Sequence, residues 1–417
     1  MNTLNLQKLL ICRDILTDDI IRLFCDLAKN PADTDLPYIL AGALIEQAEQ
    51  KNFSGNLLRA QLLYLLAQGN NAAAQTTERT NGSCGAGLHQ AFSHDIKILW
   101  PLLKKEDLPD MFGPAQKLLS AYLPTDSKLP ENLQFLDHGV SSASTSTELT
   151  ITLLDYYRRY GCGEIASHRA FCWDSKKQTL IGIRHFEDIA FSDLVGYERQ
   201  KKLLLENTAA FASGKPANNV LLVGARGTGK SSSVKALANI FYTQGLRLLQ
   251  LTKKQLTELP KVMSDLRRHP GKKFVLFLDD LSFEEFEVEY KYLKSAIEGG
   301  VEARPENVLI YATSNRRHLI KETWKDRADS QEELYRNDSV NETVSLSDRF
   351  GLIINYTAPN QSEYLAIIEH LLKKADVALS DEELRLQALR WELTHSGRSG
   401  RVAQQFVTHY LGQQSGL

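Results

Sequence analysis

Residues 218–231 read NNVLLVGARGTGKS, an apolar run that opens onto Gly224, Gly227 and Gly229 and closes on a lysine and a serine. The spacing is G-x-x-x-x-G-K-[ST], set between a strand-like run and a helix-like one, GKSSSVKALANIFYTQG. Glycines let successive backbone N–H groups turn inward around an anion, and the following helix offers that anion about half a positive charge at its N-terminus. Phosphate is the anion this chemistry suits. Gly224, Ala225, Arg226, Gly227, Thr228 and Gly229 form the cradle; Lys230 reaches the outer phosphates; Ser231, with Ser232 beside it, places a hydroxyl on a magnesium ion.

Magnesium takes hard oxygen ligands, usually one or two carboxylates beside the nucleotide phosphates and retained waters. Residues 274–285, FVLFLDDLSFEE, supply them at the end of a second apolar run. Asp279 is expected to hold the metal through water and Asp280 to face the water that attacks the terminal phosphate; the plainer alternative is a solvated strand end. A third apolar run, NVLIYATSN, ends in Ser314 and Asn315, whose neutral amide can orient water without adding charge. SLSDRFG places Arg349 before the strand LIINYT, where a guanidinium can stabilise charge developing in phosphoryl transfer or, more plainly, pair with Asp348. In SGRSGRVAQQF, Arg398 and Arg401 stand at a helix start, unfavourable for a cation, so an anion partner is implied and Arg401 is read as a nucleotide contact.

Around these motifs strands alternate with helices, which predicts an α/β fold with a parallel sheet and helices on its faces. The expected organisation is a nucleotide-binding core over 186–360 and a helical lid over 361–417. Residues 1–180 read as a mainly helical N-terminal domain of unassigned role. Its amphipathic segments lie near 4–29, 37–67, 88–104 and 147–160, with a polar, Gly-rich loop over Gln68–Gly87 and a terminal hairpin around Lys176 and Lys177.

Other candidates are weaker. Cys84, His89 and His94 lie close together, but five residues on a helix is about 500°, so the two histidines point apart and no metal site is expected. YYRRY, 156–160, mixes aromatics and arginines as single-strand binders do, and equally suits an amphipathic helix. The basic run RRHLIKETWKDR, 316–327, reads as a solvated helix.

Composition bounds the rest. In 417 residues, 43% hydrophobic and 24% charged is a globular balance with room for two or three domains. Lys plus Arg is 49 against 51 Asp plus Glu, so no global field draws nucleic acid or an anionic membrane, and nucleic acid stays an unsupported partner. Five scattered cysteines suggest reduced thiols rather than a disulfide framework. With no secretion signal and no apolar stretch of about 18 residues, a cytoplasmic protein without a membrane span is expected.

With these residues in place, the stretch 186–410 resembles the AAA+ P-loop ATPases. GARGTGKS looks like Walker A, FVLFLDD like Walker B, ATSN like sensor 1 at Asn315, SDRF like an arginine finger at Arg349, and SGRSGR like sensor 2 at Arg401. FSDLVGYERQKKLL, 191–204, resembles the segment that packs Leu194, Val195 and Gly196 around adenine. More narrowly, LDDLSFEE, YKYLKSAIEGGVEARPENVLIYATSNRRHLI and SDRFGL resemble the domain-of-unknown-function 815 family of bacterial ATP-binding proteins. The resemblance implies ATP and magnesium as ligands, ATP hydrolysis coupled to movement of the lid, an unknown protein partner, and a homo-oligomer if Arg349 acts in trans. One departure bears on turnover: AAA+ enzymes usually carry Asp-Glu in Walker B, and here the second position is Asp280. The shorter side chain sits about one methylene from where the water is polarised, and about 1 Å can cost about 10²-fold, which also opens the reading of a nucleotide-gated switch with little hydrolysis. Glu284 or Glu285 would substitute only if the chain turned them back.

Overall fold

A computed structural model describes residues 6–104, 110–126, 128–283, 287–298, 304–315, 346–395 and 397–414. The chain divides into two compact units, Met1–His168 with Arg268–Lys272, and Arg169–Arg267 with Lys273–Leu417.

The first unit is helical: α1 Asp19–Lys29, α2 Leu36–Lys51, α3 Leu57–Gln68, α4 Ala72–Arg79, α5 Ala86–Lys104, α6 Gln116–Ser120, α7 Glu131–Ser142, α8 Ser146–Tyr160 and α9 Gly163–Ser167. Its punctuation is local. The side chains of Asp18, Asn56, Asn71 and Thr145 each accept the N–H three residues on, satisfying a donor that the first helical turn leaves open. The segment expected as one helix over 37–67 is two, because Asn52 takes a left-handed conformation (φ 61°) that ends α2. Gln68–Gly87, expected as a loop, contains α4. Its Asn71 cap and buried Ala73, Ala74 and Thr77 pack it on α8, so small and polar residues make a helix whose support is tertiary. In the same unit, His269 Nδ1 lies 2.7 Å from Glu78 Oε1, and the buried Lys272 ammonium donates to the carbonyls of Tyr157 and Arg158 at the end of α8.

Outward from the first motif, the second unit runs β1 Ala170–Asp174, β2 Thr179–Gly182, α10 Glu198–Ala212, β3 Val220–Gly224, α11 Lys230–Ile240, β4 Leu246–Leu251, α12 Leu259–Leu266, β5 Lys273–Leu278, α13 Val288–Glu298, β6 Val308–Ser314, β7 Leu352–Tyr356, α14 Gln361–Lys374, α15 Asp381–Leu393 and α16 Gly400–Gln414. Its sheet has the order β2-β1-β4-β5-β6-β3-β7, parallel except for β1–β2. β3, β5 and β6 are buried along nearly their whole length, as strands covered on both faces must be. This is the α/β P-loop architecture expected for the core. The hairpin read with the N-terminal segment is β1–β2, and β1 pairs with β4, so it extends the sheet. Pairing between strands so far apart in the chain has no local signature from which it could be read.

Chain order departs from spatial order at β3: the next strands, β4 and β5, lie beyond β6, which returns to sit beside β3. In a parallel sheet all strand ends then share one edge, and such a switch point opens a crevice there. The C-terminal helices α14, α15 and α16 bury their own cluster, with Tyr364, Ile368, Ala403 and Phe406 among its members. All five cysteines are free thiols. Among the described residues, no helix is long and apolar enough to cross a membrane.

Candidate functional site

Register brings the motifs together. Val223 is level with Ser314 and Gly224 with Tyr356, while Leu278 is level with Ala312, so the residues that follow β3, β5 and β6 emerge side by side. Gly224 adopts φ 146°, and a Cβ there would lie 1.8 Å from the Tyr356 carbonyl oxygen; only glycine lets the loop leave the strand so close to β7. Gly227 (φ 73°) and Gly229 (φ 87°) carry the loop through left-handed turns into α11. A Cβ on Gly227 would meet Ser399 Oγ at 2.9 Å and Arg401 Cβ at 3.0 Å, so the loop also packs on the start of α16.

Within the loop the Lys230 ammonium donates to the carbonyls of Gly224 (2.9 Å) and Ala225 (2.7 Å) and to Asn315 Oδ1 (3.2 Å). Burial pushes this amine below the usual lysine value; Asp280 and Asp279 pull it back up, while Arg226 and Arg401 push it down further. Ser231 Oγ donates to Asp279 Oδ1 at 2.6 Å, and Thr313 Oγ1 donates to the same oxygen at 2.7 Å. Asp280 is in the left-handed region at φ 51°, and its carboxylate accepts from the Asn315 amide.

These groups line a cavity of about 870 Å³, within the size range of small-molecule sites. From the expected residues it gathers Leu194, Val195, Arg226–Ser232, Asp279, Asp280, Asn315 and Arg401. Gly224, Ala225 and Gly196 (φ 78°) are not among the lining residues, although the Gly224 and Ala225 carbonyls accept from Lys230, which is. Arg398 pairs with Glu392 at 2.9 Å, which separates it from Arg401. Arg349 is not among the lining residues. Its guanidinium pairs with Glu298 at the end of α13, where the sequence offered Asp348.

Several lining residues escaped the sequence. Ile367 and Leu371 of α14, Gln404 and Gln405 of α16, and Thr313 and Tyr197 line the cavity with Leu194 and Val195. Helical spacing marks Ile367 and Leu371 as one face, but nothing local says what that face meets. Tyr197 sits at φ 60° and donates to the Thr357 carbonyl at 2.8 Å; burial, then the Glu363 carboxylate, pushes it up to about 12. Asp193 caps the turn before Leu194 by accepting the Ala190 N–H, and it accepts Lys374 Nζ of α14 at 2.7 Å.

The donor set fits phosphate and a hard divalent cation. Backbone N–H groups of the glycine turns, Lys230, Arg226 and Arg401 offer positive character, and Ser231 Oγ and Asp279 are hard oxygens held within hydrogen-bond distance of each other. Elsewhere the weaker candidates resolve. Tyr156, Tyr157 and Tyr160 are buried and Arg158 and Arg159 pair with Asp155, so YYRRY presents no stacking face. His94 Nδ1 lies 3.1 Å from Asp95 Oδ1, whose carboxylate accepts the N–H groups of Ile11 and Cys12. Glu284, Glu285 and the run 316–327 lie outside the described residues.

A family model described as a protein of unknown function, DUF815, matches residues 166–414. None of the curated proteins matches the chain. Similar solved structures include the Holliday junction branch migration motor RuvB of Thermotoga maritima, at 19% identity and TM-score 0.36, over 52% of this chain and 62% of that one. Two single-residue variants of the same motor overlap at 17% and 16% identity, with TM-scores of 0.35 and 0.34, over 54% of this chain and 72% of each of theirs. The chain thus spans under two thirds of the first of these structures. Strand order and motif placement, rather than these overlaps, identify the fold.

Proposed function

The chain belongs to the DUF815 family of proteins of unknown function, and we propose that it binds ATP with magnesium and hydrolyses it as an AAA+ ATPase, coupling the nucleotide state to a conformational change on a protein partner. One observation carries the reading: Ser231 of the phosphate loop and Asp279, just beyond β5, meet at 2.6 Å on the wall of a cavity that Lys230 also lines.

In this reading the N–H groups of Gly227–Ser231 cradle the phosphates, and Lys230 exchanges its bonds to the Gly224 and Ala225 carbonyls for phosphate oxygens. Ser231 and Asp279 hold magnesium, which neutralises charge on the phosphates when bound. Asp280 takes the proton of the attacking water, and Asn315, bonded to both Asp280 and Lys230, holds that carboxylate near the lysine that reaches the phosphates. Leu194, Val195, Ile367 and Leu371, apolar residues of the same cavity, would take the base. Arg349 is not among the residues lining the cavity, which supports a finger delivered to a neighbouring copy and hence a homo-oligomer; a cytoplasmic setting belongs to the same reading.

The test is magnesium-dependent phosphate release by the wild type and by Lys230→Ala. Equal rates would end the enzymatic claim. The short Asp280, tied to Asn315, favours a second reading in which ATP occupancy alone gates partner binding; tight ATP binding with negligible turnover, even with partner present, selects it.

A further inference from the structure

The sequence directs attention to the last residues of ATSN, Ser314 and Asn315. The tertiary contacts single out a different residue, Thr313, which is buried near the end of β6, the strand between β3 and β5. Its hydroxyl donates to Asp279 Oδ1 at 2.7 Å and accepts the Asp280 N–H at 2.8 Å. Its carbonyl accepts the Leu281 N–H at 2.7 Å. One residue therefore holds three consecutive positions beyond the end of β5, where ladder bonds have stopped and the chain must leave the sheet.

The consequence is clearest at Asp280. A left-handed φ of 51° is sparsely populated for a residue with a Cβ, though aspartate tolerates it better than most, and it persists only where surroundings fix it. The bond from the Asp280 N–H to Thr313 Oγ1 is such a constraint, and the same oxygen donates to Asp279. A hydroxyl can do both because it carries one donor and two acceptor positions. Ser231 donates to that same Asp279 oxygen, so the carboxylate is steadied from the phosphate loop and from β6 at once.

We propose that Thr313 is the positioning residue of the site: its hydroxyl sets the Asp279 carboxylate for magnesium and the Asp280 backbone for the attacking water. The inference rests on the ATP reading above. Groups that orient a metal ligand from outside typically alter metal affinity or activity by about 10–100-fold when removed. Thr313→Val keeps the shape and deletes the hydroxyl, and Thr313→Ser keeps the hydroxyl.

The experiment measures equilibrium binding of a fluorescent ATP analogue in EDTA and in magnesium, with phosphate release alongside. Thr313→Val should bind as the wild type does in EDTA, lose most of the gain in affinity that magnesium confers, with KM in magnesium rising accordingly, and lose turnover by about 10–100-fold. Thr313→Ser should retain both. A double-mutant cycle with Asp280→Asn should be strongly non-additive, since both changes act on one arrangement. If Thr313→Val does not fold, Thr313→Ala against Thr313→Ser gives the same comparison. A magnesium gain and turnover unchanged in the hydroxyl-free variant overturn the assignment while leaving the ATP reading intact; a wild type that binds no nucleotide removes the ATP reading itself.

Discussion

Ser231 Oγ donates to Asp279 Oδ1 at 2.6 Å although 48 positions separate the two residues along the chain. The strands that lead into them, β3 and β5, are not neighbours: β6 lies between the two in the sheet. The bond makes the phosphate loop and the β5 carboxylate one unit, and it sets how substitutions in each should behave.

Lys230→Ala removes the cation whose burial already depresses its pKa, so the phosphate loop loses its adaptable charge. Phosphate release should fall by at least about 10²-fold, in line with the loss of one preorganised electrostatic group. A malachite-green assay at saturating ATP reads it.

Asp280→Asn keeps size and hydrogen bonding but no longer accepts a proton. Turnover should drop by about 10²-fold or more while affinity for the ATP analogue stays near that of the wild type. Stopped-assay rates paired with fluorescence titration separate the two, and an unchanged rate would rule Asp280 out as the base.

Gly224→Ala places a methyl 1.8 Å from the Tyr356 carbonyl oxygen at a φ of 146°. Neither β3 nor β7 can yield without breaking the Gly224–Tyr356 register, so the variant should lose at least about 2 kcal/mol of stability. Urea unfolding of the two proteins gives the number.

Lys374 and Asp193 tie α14 to the turn before Leu194, and Ile367, Leu371 and Lys374 follow i, i+4, i+7 on one helix face. The Lys374 hydrogen bond, then the Ala190 N–H, holds Asp193 below the usual carboxylate range. Lys374 is largely exposed and Asp193 partly so, and Lys374→Glu should weaken nucleotide binding only about two- to fivefold, equivalent to about 0.4–1 kcal/mol. Adding Asp193→Lys should restore affinity, and high salt should erase the difference.

In the helical unit, burial raises Glu78, but the His269 hydrogen bond and charge, with the Lys272 charge and the Cys162 thiol hydrogen bond, outweigh it and leave Glu78 below its ordinary value. A depressed folded value means the stabilisation is present above about pH 4.5 and is lost as pH falls through the lower folded pKa. Glu78→Gln should cost about 1.5–3 kcal/mol at neutral pH, a gap that narrows below about pH 4.5 in denaturant midpoints.

The chemistry of this protein was written locally. GARGTGKS, FVLFLDD and NVLIYATSN each read as a strand ending in the polar groups that the proposed ATP site uses, because glycine turns, paired carboxylates and buried apolar runs depend on neighbours within a few residues. Their alternation with helices was enough for a parallel α/β core. Wherever a residue's meaning depended on a distant partner, only the tertiary structure decided it. β1 joins the sheet through β4, α4 is a helix because α8 covers it, Arg349 pairs with Glu298, and Ile367 and Leu371 line the cavity. Thr313 is the sharpest case: in sequence it is one more residue of an apolar strand, and it gains its role only because β6 lies between the two strands that carry the lysine and the aspartates. Strand order is set by long-range burial and pairing, for which a sequence window holds no signal.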